Sequence, residues 1–405
     1  MALSKKSFQQ IQEIVGRSFC TRTPEERICY AYDATAQVYP PDAVVFPGST
    51  NEIAALLTLA NTESFYVIPR GSGSGMTGGS LAVRGGVVMV FTRMNRILQI
   101  DTQNLIAVAE PGVVTASFHR AVEKVGLFYP PDPSSSDFST LGGNIAECAG
   151  GPRAVKYGVT RDYVLGLEAV IPTGEIIKTG VQTAKGVVGY DLTRLLVGSE
   201  GTLGIITRIT LRLLPRPESI LTMMAVFSRM EAATNTVSKI IRKGLIPRTL
   251  EFMDNASIRC VDAYLNTGLP LEAEALLLIE TDGRASELKE TMTQIRDLCI
   301  ASGAESIKIA ENQQEAEALW KARKSISPAL FQYAPHKINE DIVVPRSRIP
   351  DLVDKIEALK KETGLFIASF GHAGDGNIHF NIMLDKTDLH ALKKAEAAVE
   401  KIFDY

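Results

Sequence analysis

The sequence predicts a two-domain α+β protein. Apolar runs of strand length mix with amphipathic helix patterns but show no regular strand–helix–strand repeat, which argues against a doubly wound sheet. A proline pair, Pro215 and Pro217, closes an alternating strand, and the pattern changes after it. The 405 residues are enough for two domains, each burying its own core. The expected domains are therefore residues 1–216 and 217–405.

Composition removes several function classes. The net charge of -3 gives no basic surface for nucleic acid or an anionic membrane. No apolar run approaches the roughly 18 residues of a transmembrane helix. Met1 to Gly16 reads as an amphipathic helix without a signal-peptide core, so a cytoplasmic location is expected. The five cysteines are scattered without a C-x-x-C pair, which favours a reducing compartment and argues against an iron–sulfur cluster held by this chain.

In the first domain, Pro41 to Pro47 reads as a short strand. A Ser49 or Thr50 cap then opens a helix from Ile53 to Asn61. Phe65 to Ile68 is a buried strand, Val87 to Phe91 another, and Ile97 to Val108 holds further strands before a turn at Pro111-Gly112. Thr115 to Val125 is an amphipathic helix. Tyr129 to Asn144, continuing to Pro152, reads as one long polar loop, a rare feature in compact domains unless it carries function. Thr207 to Leu213 is an alternating strand, with Ile209, Leu211 and Leu213 set against Thr210 and Arg212.

The second domain reads as strands Ile220–Phe227, Ile246–Phe252, Ala275–Glu280 and Ser306–Ala310. They are interspersed with helices Met230–Lys243, Asn255–Tyr264 and Ser286–Ser302. A charged helix follows over Glu311–Ile326, then a strand Asp341–Pro345 and a helix Ile349–Thr363. This order predicts an antiparallel sheet with helices packed on one side.

Three stretches carry chemistry in the first domain. The foremost is Pro69-Arg70-Gly71-Ser72-Gly73-Ser74-Gly75-Met76-Thr77-Gly78-Gly79, with five glycines in nine residues. Glycines let backbone N–H groups form an anion nest and approach a pyrophosphate. The loop lacks the Gly-Lys-Ser/Thr end of a Walker loop. Gly73, Gly75 and Gly78 match the dinucleotide fingerprint, but the following Gly79 to Gly86 is too short and glycine-broken for the helix that fingerprint requires. The other stretches are the hydroxyl- and glycine-rich Pro130 to Gly151 segment and Gly198-Ser199-Glu200-Gly201-Thr202-Leu203-Gly204-Ile205-Ile206. Small residues and hydroxyls in the former let a flat ring lie against backbone.

Together these three motifs, in this order, resemble the flavin domain of the vanillyl-alcohol-oxidase superfamily, in the branch of glycolate oxidase flavin subunits and D-lactate dehydrogenases. The resemblance implies a two-lobed FAD-binding domain and an α+β cap with an antiparallel sheet. It implies that Pro69 to Gly79 hold the FAD pyrophosphate. Pro131, Asp132, Ser135, Thr140, Gly142, Gly143 and Asn144 would flank the isoalloxazine, Gly150 and Gly151 would belong to the same FAD site, and Glu200, Gly201, Gly204 and Ile206 would contact the nucleotide side. A helix- or turn-capping acid is the alternative for Glu200, but it leaves the surrounding glycines unexplained. The glycine loop has no histidine where covalent relatives carry one, so non-covalent FAD is expected.

In the second domain, Ser369 to Phe380 contains His372-Ala373-Gly374-Asp375-Gly376-Asn377-Ile378-His379 between two apolar runs. Asp-Gly there signals a hairpin turn, which would bring His372 and His379 to facing positions at its neck. Two of five histidines in one turn suit a divalent metal such as zinc, although a lone turn histidine is commonly unremarkable. The resemblance implies the same two ligands, with Asn377 near flavin or substrate. It also implies that Arg323, in Trp320-Lys321-Ala322-Arg323-Lys324, binds a substrate carboxylate; a solvated helix face is the plainer alternative. Lys337 is a second cationic candidate.

The resembling family continues past the last helix into a Glu-His-Gly segment, which supplies a further metal ligand and a histidine implicated in proton abstraction. Here the sequence ends at Ile402-Phe403-Asp404-Tyr405, so a truncated chain is expected. The expected function is FAD-dependent oxidation of D-lactate or glycolate. Electrons would pass to an iron–sulfur subunit, a quinone or a cytochrome, with peripheral membrane association through such a partner as an alternative location. A non-catalytic flavin-binding subunit and a flavin oxidase of sugars or alcohols stay open.

Overall fold

The computed structural model describes residues 3–183 and 185–404. The expected helix start at Met1 and chain end at Tyr405 lie outside these. The chain divides into two compact units, Met1–Gly151 with Gly158–Arg216, and Pro152–Tyr157 with Pro217–Tyr405.

The strands of the first unit are β1 (Cys20–Thr21), β2 (Ala43–Val45), β3 (Val67–Arg70), β4 (Val87–Val90), β5 (Ile97–Asp101), β6 (Ile106–Ala109), β7 (Leu127–Phe128), β8 (Val164–Val170), β9 (Ile176–Gly180), β10 (Ile205–Arg212) and β11 (Leu214–Pro215). They form a four-stranded sheet in the order β1-β2-β4-β3, a five-stranded sheet β5-β6-β10-β8-β9, and a β11-β7 pair. β2, β4 and β3 run parallel, and the five-stranded sheet is antiparallel throughout.

Period-two alternation places both faces of the four-stranded sheet in apolar surroundings. Ala43, Val45, Val87 and Met89 pack with Ile11 and Val15 of helix Lys5–Val15 and with Ile53, Leu56 and Leu57 of helix Thr50–Glu63. Val44, Val88 and Val90 pack on the other face with Ala82. The Ser49 hydroxyl accepts from the Glu52 amide at 3.2 Å, so the expected cap opens the helix.

Two expectations change here. The long polar loop contains a helix, Leu141–Glu147, so Gly142, Gly143 and Asn144 are helical. Thr140 caps it by accepting from the Gly143 amide at 3.3 Å, and buried Leu141 and Ile145 anchor it. Its glycines answer a packing demand: a Cβ on Gly142 would stand 2.6 Å from the Pro111 Cβ. Thr210, read as outward-facing, is buried in β10.

The second unit is built on a seven-stranded antiparallel sheet. Its strands are β12 (Ser219–Phe227), β13 (Thr249–Asp254), β14 (Ala275–Gly283), β15 (Ala304–Ile309), β16 (His336–Val343), β17 (Phe366–His372) and β18 (Asn377–Leu384), in the order β15-β12-β14-β13-β17-β18-β16.

Helices cover both faces, not one. Leu250, Phe252, Leu277, Ile279, Ile367 and Phe380 pack against helices Met230–Arg242, Ala285–Ala301, Ile349–Thr363 and Leu389–Phe403. The alternate residues Met253, Leu276, Ala368, Phe370 and Met383 meet helices Asn255–Leu265, Gln313–Lys324 and Ile326–Leu330. The strand expected at Asp341–Pro345 begins earlier and puts Lys337 on β16. Among the described residues, no helix is long and apolar enough to cross a membrane.

Candidate active site

In the first unit, the three motifs converge although more than a hundred residues separate them. A Cβ on Gly71 would meet the Thr140 hydroxyl at 2.6 Å, one on Gly79 the Glu200 carboxylate at 3.2 Å, and one on Gly201 the Pro69 Cγ at 2.5 Å. The glycine loop therefore sits where side chains would close it. Gly73 and Gly78 take φ of +72 and +80, a region that favours glycine. No helix opens at the loop, since the next regular element is β4. Arg70 lies beneath it, 5 % exposed, donating to the Ser80 hydroxyl at 3.2 Å. Burial lowers the Arg70 pKa, an effect opposed by the nearby Asp33.

The other candidates of this set are held in structural roles as well. The Pro131 carbonyl pairs with the His119 ring at 2.9 Å, and Asn144 donates to the Thr115 hydroxyl at 2.8 Å. A Cβ on Gly151 would stand 2.7 Å from the Asp132 Oδ1. Ser135 accepts at its carbonyl from the Phe138 amide at 3.0 Å. Ile206 is buried in β10, in register with Ala169, and Gly204 approaches the Val170 carbonyl. Gly150 stands beside Val159.

In the second unit, β17 and β18 form the expected hairpin. Its connection is four residues long, Ala373 to Gly376, with Gly376 at φ +93. His372 pairs in register with Asn377, and His379 with Phe370. The two histidines are thus diagonal neighbours on one sheet face rather than facing partners, and their ring centroids lie 5.1 Å apart at 86°.

A carboxylate from a neighbouring strand holds each ring. His372 Nδ1 lies 2.8 and 3.0 Å from the two oxygens of Glu251, on β13. His379 Nδ1 lies 2.5 Å from Asp341 Oδ1, on β16, the residue opposite it in register. Burial alone would lower the His372 pKa, but the Glu251 charge more than offsets this and raises it. For His379 burial prevails over Asp341, and the ring lies below the ordinary histidine value.

Arg323 joins the same cluster from helix Gln313–Lys324. It is 7 % exposed, which excludes the solvated-face alternative. Its Nη2 lies 2.6 Å from Glu251 Oε2 and its guanidinium 5.0 Å from the Phe370 ring centroid, while its buried Nε has no hydrogen-bond partner. One turn earlier, Trp320 donates to Glu280 on β14 at 2.9 Å, so two sheet carboxylates hold this helix face.

Lys337 shares the sheet face but lies four residues along β16 from Asp341, about 13 Å at strand rise. Its ammonium donates to the Ser327 hydroxyl at 2.7 Å, and burial lowers its pKa. Asn377 ends the hairpin with its Oδ1 buried and unpartnered. Sequence reading missed Glu251 and Asp341. The signal for Glu251 was an acid between Leu250 and Phe252 in a strand whose apolar neighbours face both ways.

The chain matches the model of FAD linked oxidases, C-terminal domain, over residues 216–405, and that of an FAD binding domain over residues 41–180. It is 44 % identical over 403 residues to the glycolate oxidase subunit GlcD of Bacillus subtilis, covering 99 % of this chain and 86 % of that protein.

The chain belongs to the FAD-linked oxidases.

It is also 36 % identical over 371 residues to a D-lactate dehydrogenase of Anaerostipes hadrus, covering 90 % of this chain and 78 % of that protein. Among solved structures, p-cresol methylhydroxylase with substrate bound matches with a TM-score of 0.81 at 15 % identity, covering 99 % of this chain and 88 % of that one. Alkyldihydroxyacetonephosphate synthase matches at 0.80 and 20 % identity, covering 98 % and 80 %. At these identities the likeness shows the fold. The cofactor of the family is FAD, and the glycine cradle, which a single Cβ would fill, fits a group approaching bare backbone.

Among the described residues, no three His, Cys, Asp or Glu side chains cluster as a metal site. Glu251 and Asp341 meet the two rings at Nδ1 and do not complete such a group with them.

Proposed function

We propose that the chain oxidises a small D-2-hydroxy acid, glycolate or D-lactate, to the 2-oxo acid. The observation that carries this is the cluster of one buried guanidinium and two carboxylate-anchored imidazoles on one sheet face. The glycolate oxidase subunit and D-lactate dehydrogenase among its relatives support the substrate class.

In this reading residues 1–216 form the flavin domain and residues 217–405 the substrate domain. Pro69 to Gly79 take the FAD pyrophosphate on loop amides, with the Pro131–Gly151 and Glu200–Ile206 segments completing a non-covalent site. FAD, when bound, accepts the hydride leaving C2 of the substrate. Arg323 pairs with the substrate carboxylate through donors that Glu251 does not use, and Lys337 is the second cation on that face. Because Glu251 and Asp341 occupy both Nδ1 atoms, the Nε2 atoms of His372 and His379 are left for the substrate hydroxyl, and His379, which burial holds toward the neutral ring, takes its proton. Asn377 contributes its unpartnered Oδ1 nearby.

A divalent metal such as zinc would use the same two Nε2 atoms, since metal-bound histidines commonly donate their other nitrogen to a carboxylate. Catalytic zinc usually takes three protein ligands, so the pair alone is a partial donor set. Electrons then leave for a non-oxygen acceptor: an iron–sulfur subunit, a quinone or a cytochrome.

Turnover with an artificial electron acceptor tests the proposal across glycolate, D-lactate, L-lactate, longer D-2-hydroxy acids, sugars and phenols. Activity confined to the D-2-hydroxy acids and glycolate is expected. Activity on neutral sugars or phenols instead, or flavin binding with no turnover of any substrate, would overturn it.

A further inference from the structure

We propose that Glu251 is the positioning residue of this site, a single buried carboxylate that sets both the orientation of His372 and the pose of Arg323. The inference rests on the reading that those two groups act on the substrate. Glu251 has no exposed surface, in the interior of a seven-stranded sheet. Both its oxygens lie within 3.0 Å of His372 Nδ1, and Oε2 also lies 2.6 Å from Arg323 Nη2. Asp341, the other carboxylate of the cluster, bonds one member, His379.

A charge buried in a sheet is costly, and apolar side chains commonly stabilise such a position equally well or better. Stability alone therefore gives weak reason for an acid at the centre of β13, where Leu250, Phe252 and Met253 already pack both faces. What the acid adds is geometry. A carboxylate accepts only, so it fixes a hydrogen on His372 Nδ1 and leaves the lone pair of the neutral ring on Nε2. By engaging Arg323 through Nη2 it also leaves the buried Nε, a donor without a partner, for a further acceptor.

Glu251→Gln keeps the shape and removes the accept-only character. An amide N–H directed at His372 Nδ1 reverses the tautomer, and one directed at Arg323 sets donor against donor. In holoprotein carrying ¹⁵N-histidine, with the His372 signals assigned by loss in His372→Gln, the neutral wild-type ring should show hydrogen on Nδ1. In Glu251→Gln that hydrogen should move to Nε2, and kcat/KM for the best 2-hydroxy acid should fall about 10- to 100-fold at unchanged FAD content. Glu251→Asp should restore the wild-type tautomer and part of the rate.

A wild-type His372 with its hydrogen on Nε2 overturns the proposal, whatever the variants do. So does a folded Glu251→Gln protein with full kcat/KM and only a lowered Tm. If wild-type protein turns over no 2-hydroxy acid, the functional reading fails. The tautomer measurement then still decides whether Glu251 sets the ring.

Discussion

Replacing Gly73 with alanine should cripple FAD binding, and the size of the effect can be worked from the loop itself. Gly73 has φ +72, where an L side chain costs about 1–2 kcal/mol. Its Cβ would stand 2.5 Å from the Arg70 Cζ and 2.8 Å from Nη1. Arg70 is buried and donates to Ser80, so moving its guanidinium aside gives up that bond at about 1 kcal/mol more. The sum, about 2–3 kcal/mol, corresponds to roughly 30- to 140-fold weaker FAD binding. Gly126→Ala separates local from general effects: its φ is +76 but nothing lies within 4 Å of the added Cβ. Titrating apoprotein with FAD, followed by quenching of flavin fluorescence, should give a raised Kd for the Gly73 variant and a wild-type Kd for the Gly126 variant. A wild-type Kd in both would refute the assignment of the loop to the pyrophosphate, and an equal loss in both would refute the argument from the clash.

Arg323→Ala should raise KM for glycolate or D-lactate by an amount equivalent to roughly 1.5–3 kcal/mol, the worth of a charge-assisted bond; steady-state kinetics with unchanged KM and kcat would remove Arg323 from substrate binding. Gly71→Ala should push Thr140 off its cap on helix Leu141–Glu147, lowering stability by about 1 kcal/mol in denaturant titration. Lys360→Met leaves the buried Asp254 charge without its ammonium partner at 2.8 Å, a loss of about 3–5 kcal/mol. Burial would raise the Asp254 pKa, but Lys360 and Ser257 more than offset it and hold the carboxyl low. Burial would lower Lys360, yet Asp254 and Glu357 keep it above its ordinary value. The contribution of Asp254 is thus present above its unfolded pKa of about 3.9 and lost as pH falls through the lower folded value. That of Lys360 is full below about 10.4 and lost as pH rises through the higher folded value. The Tm gap between wild type and Lys360→Met should be flat from about pH 5 to 9 and shrink at both extremes; a gap that grows toward acid would contradict the pairing.

The sequence made legible what local chemistry dictates. Ser49 capped its helix as expected, helix Ile349–Thr363 formed over the residues read for it, and the glycine loop was followed by no helix. What escaped was decided by tertiary contact. Helix Leu141–Glu147 carries two adjacent glycines, poor helix formers, and persists because Leu141 and Ile145 are buried and the space beside Pro111 admits no Cβ at Gly142. Helices on both faces of the large sheet were implicit in strands such as Leu276-Leu277-Leu278-Ile279, apolar at every position, a pattern that belongs to strands buried on both sides. In the site, His372 and His379 were found by residue type and spacing, and Arg323 through the family resemblance of its motif. Glu251 and Asp341 act across strand pairings between residues far apart in sequence (Asp341 with His379, Phe252 with Gly371), and no local pattern announces such a register.

The most direct test of the account is a single turnover. Purified protein with its FAD is mixed anaerobically with D-lactate or glycolate while the oxidised-flavin absorption band is followed. The account predicts that the band bleaches with one of these acids, that the matching 2-oxo acid forms in one-to-one ratio to flavin, and that His372→Ala or Arg323→Ala slows the bleaching. A band that persists with both acids, in protein whose flavin bleaches readily with a chemical reductant, would contradict it.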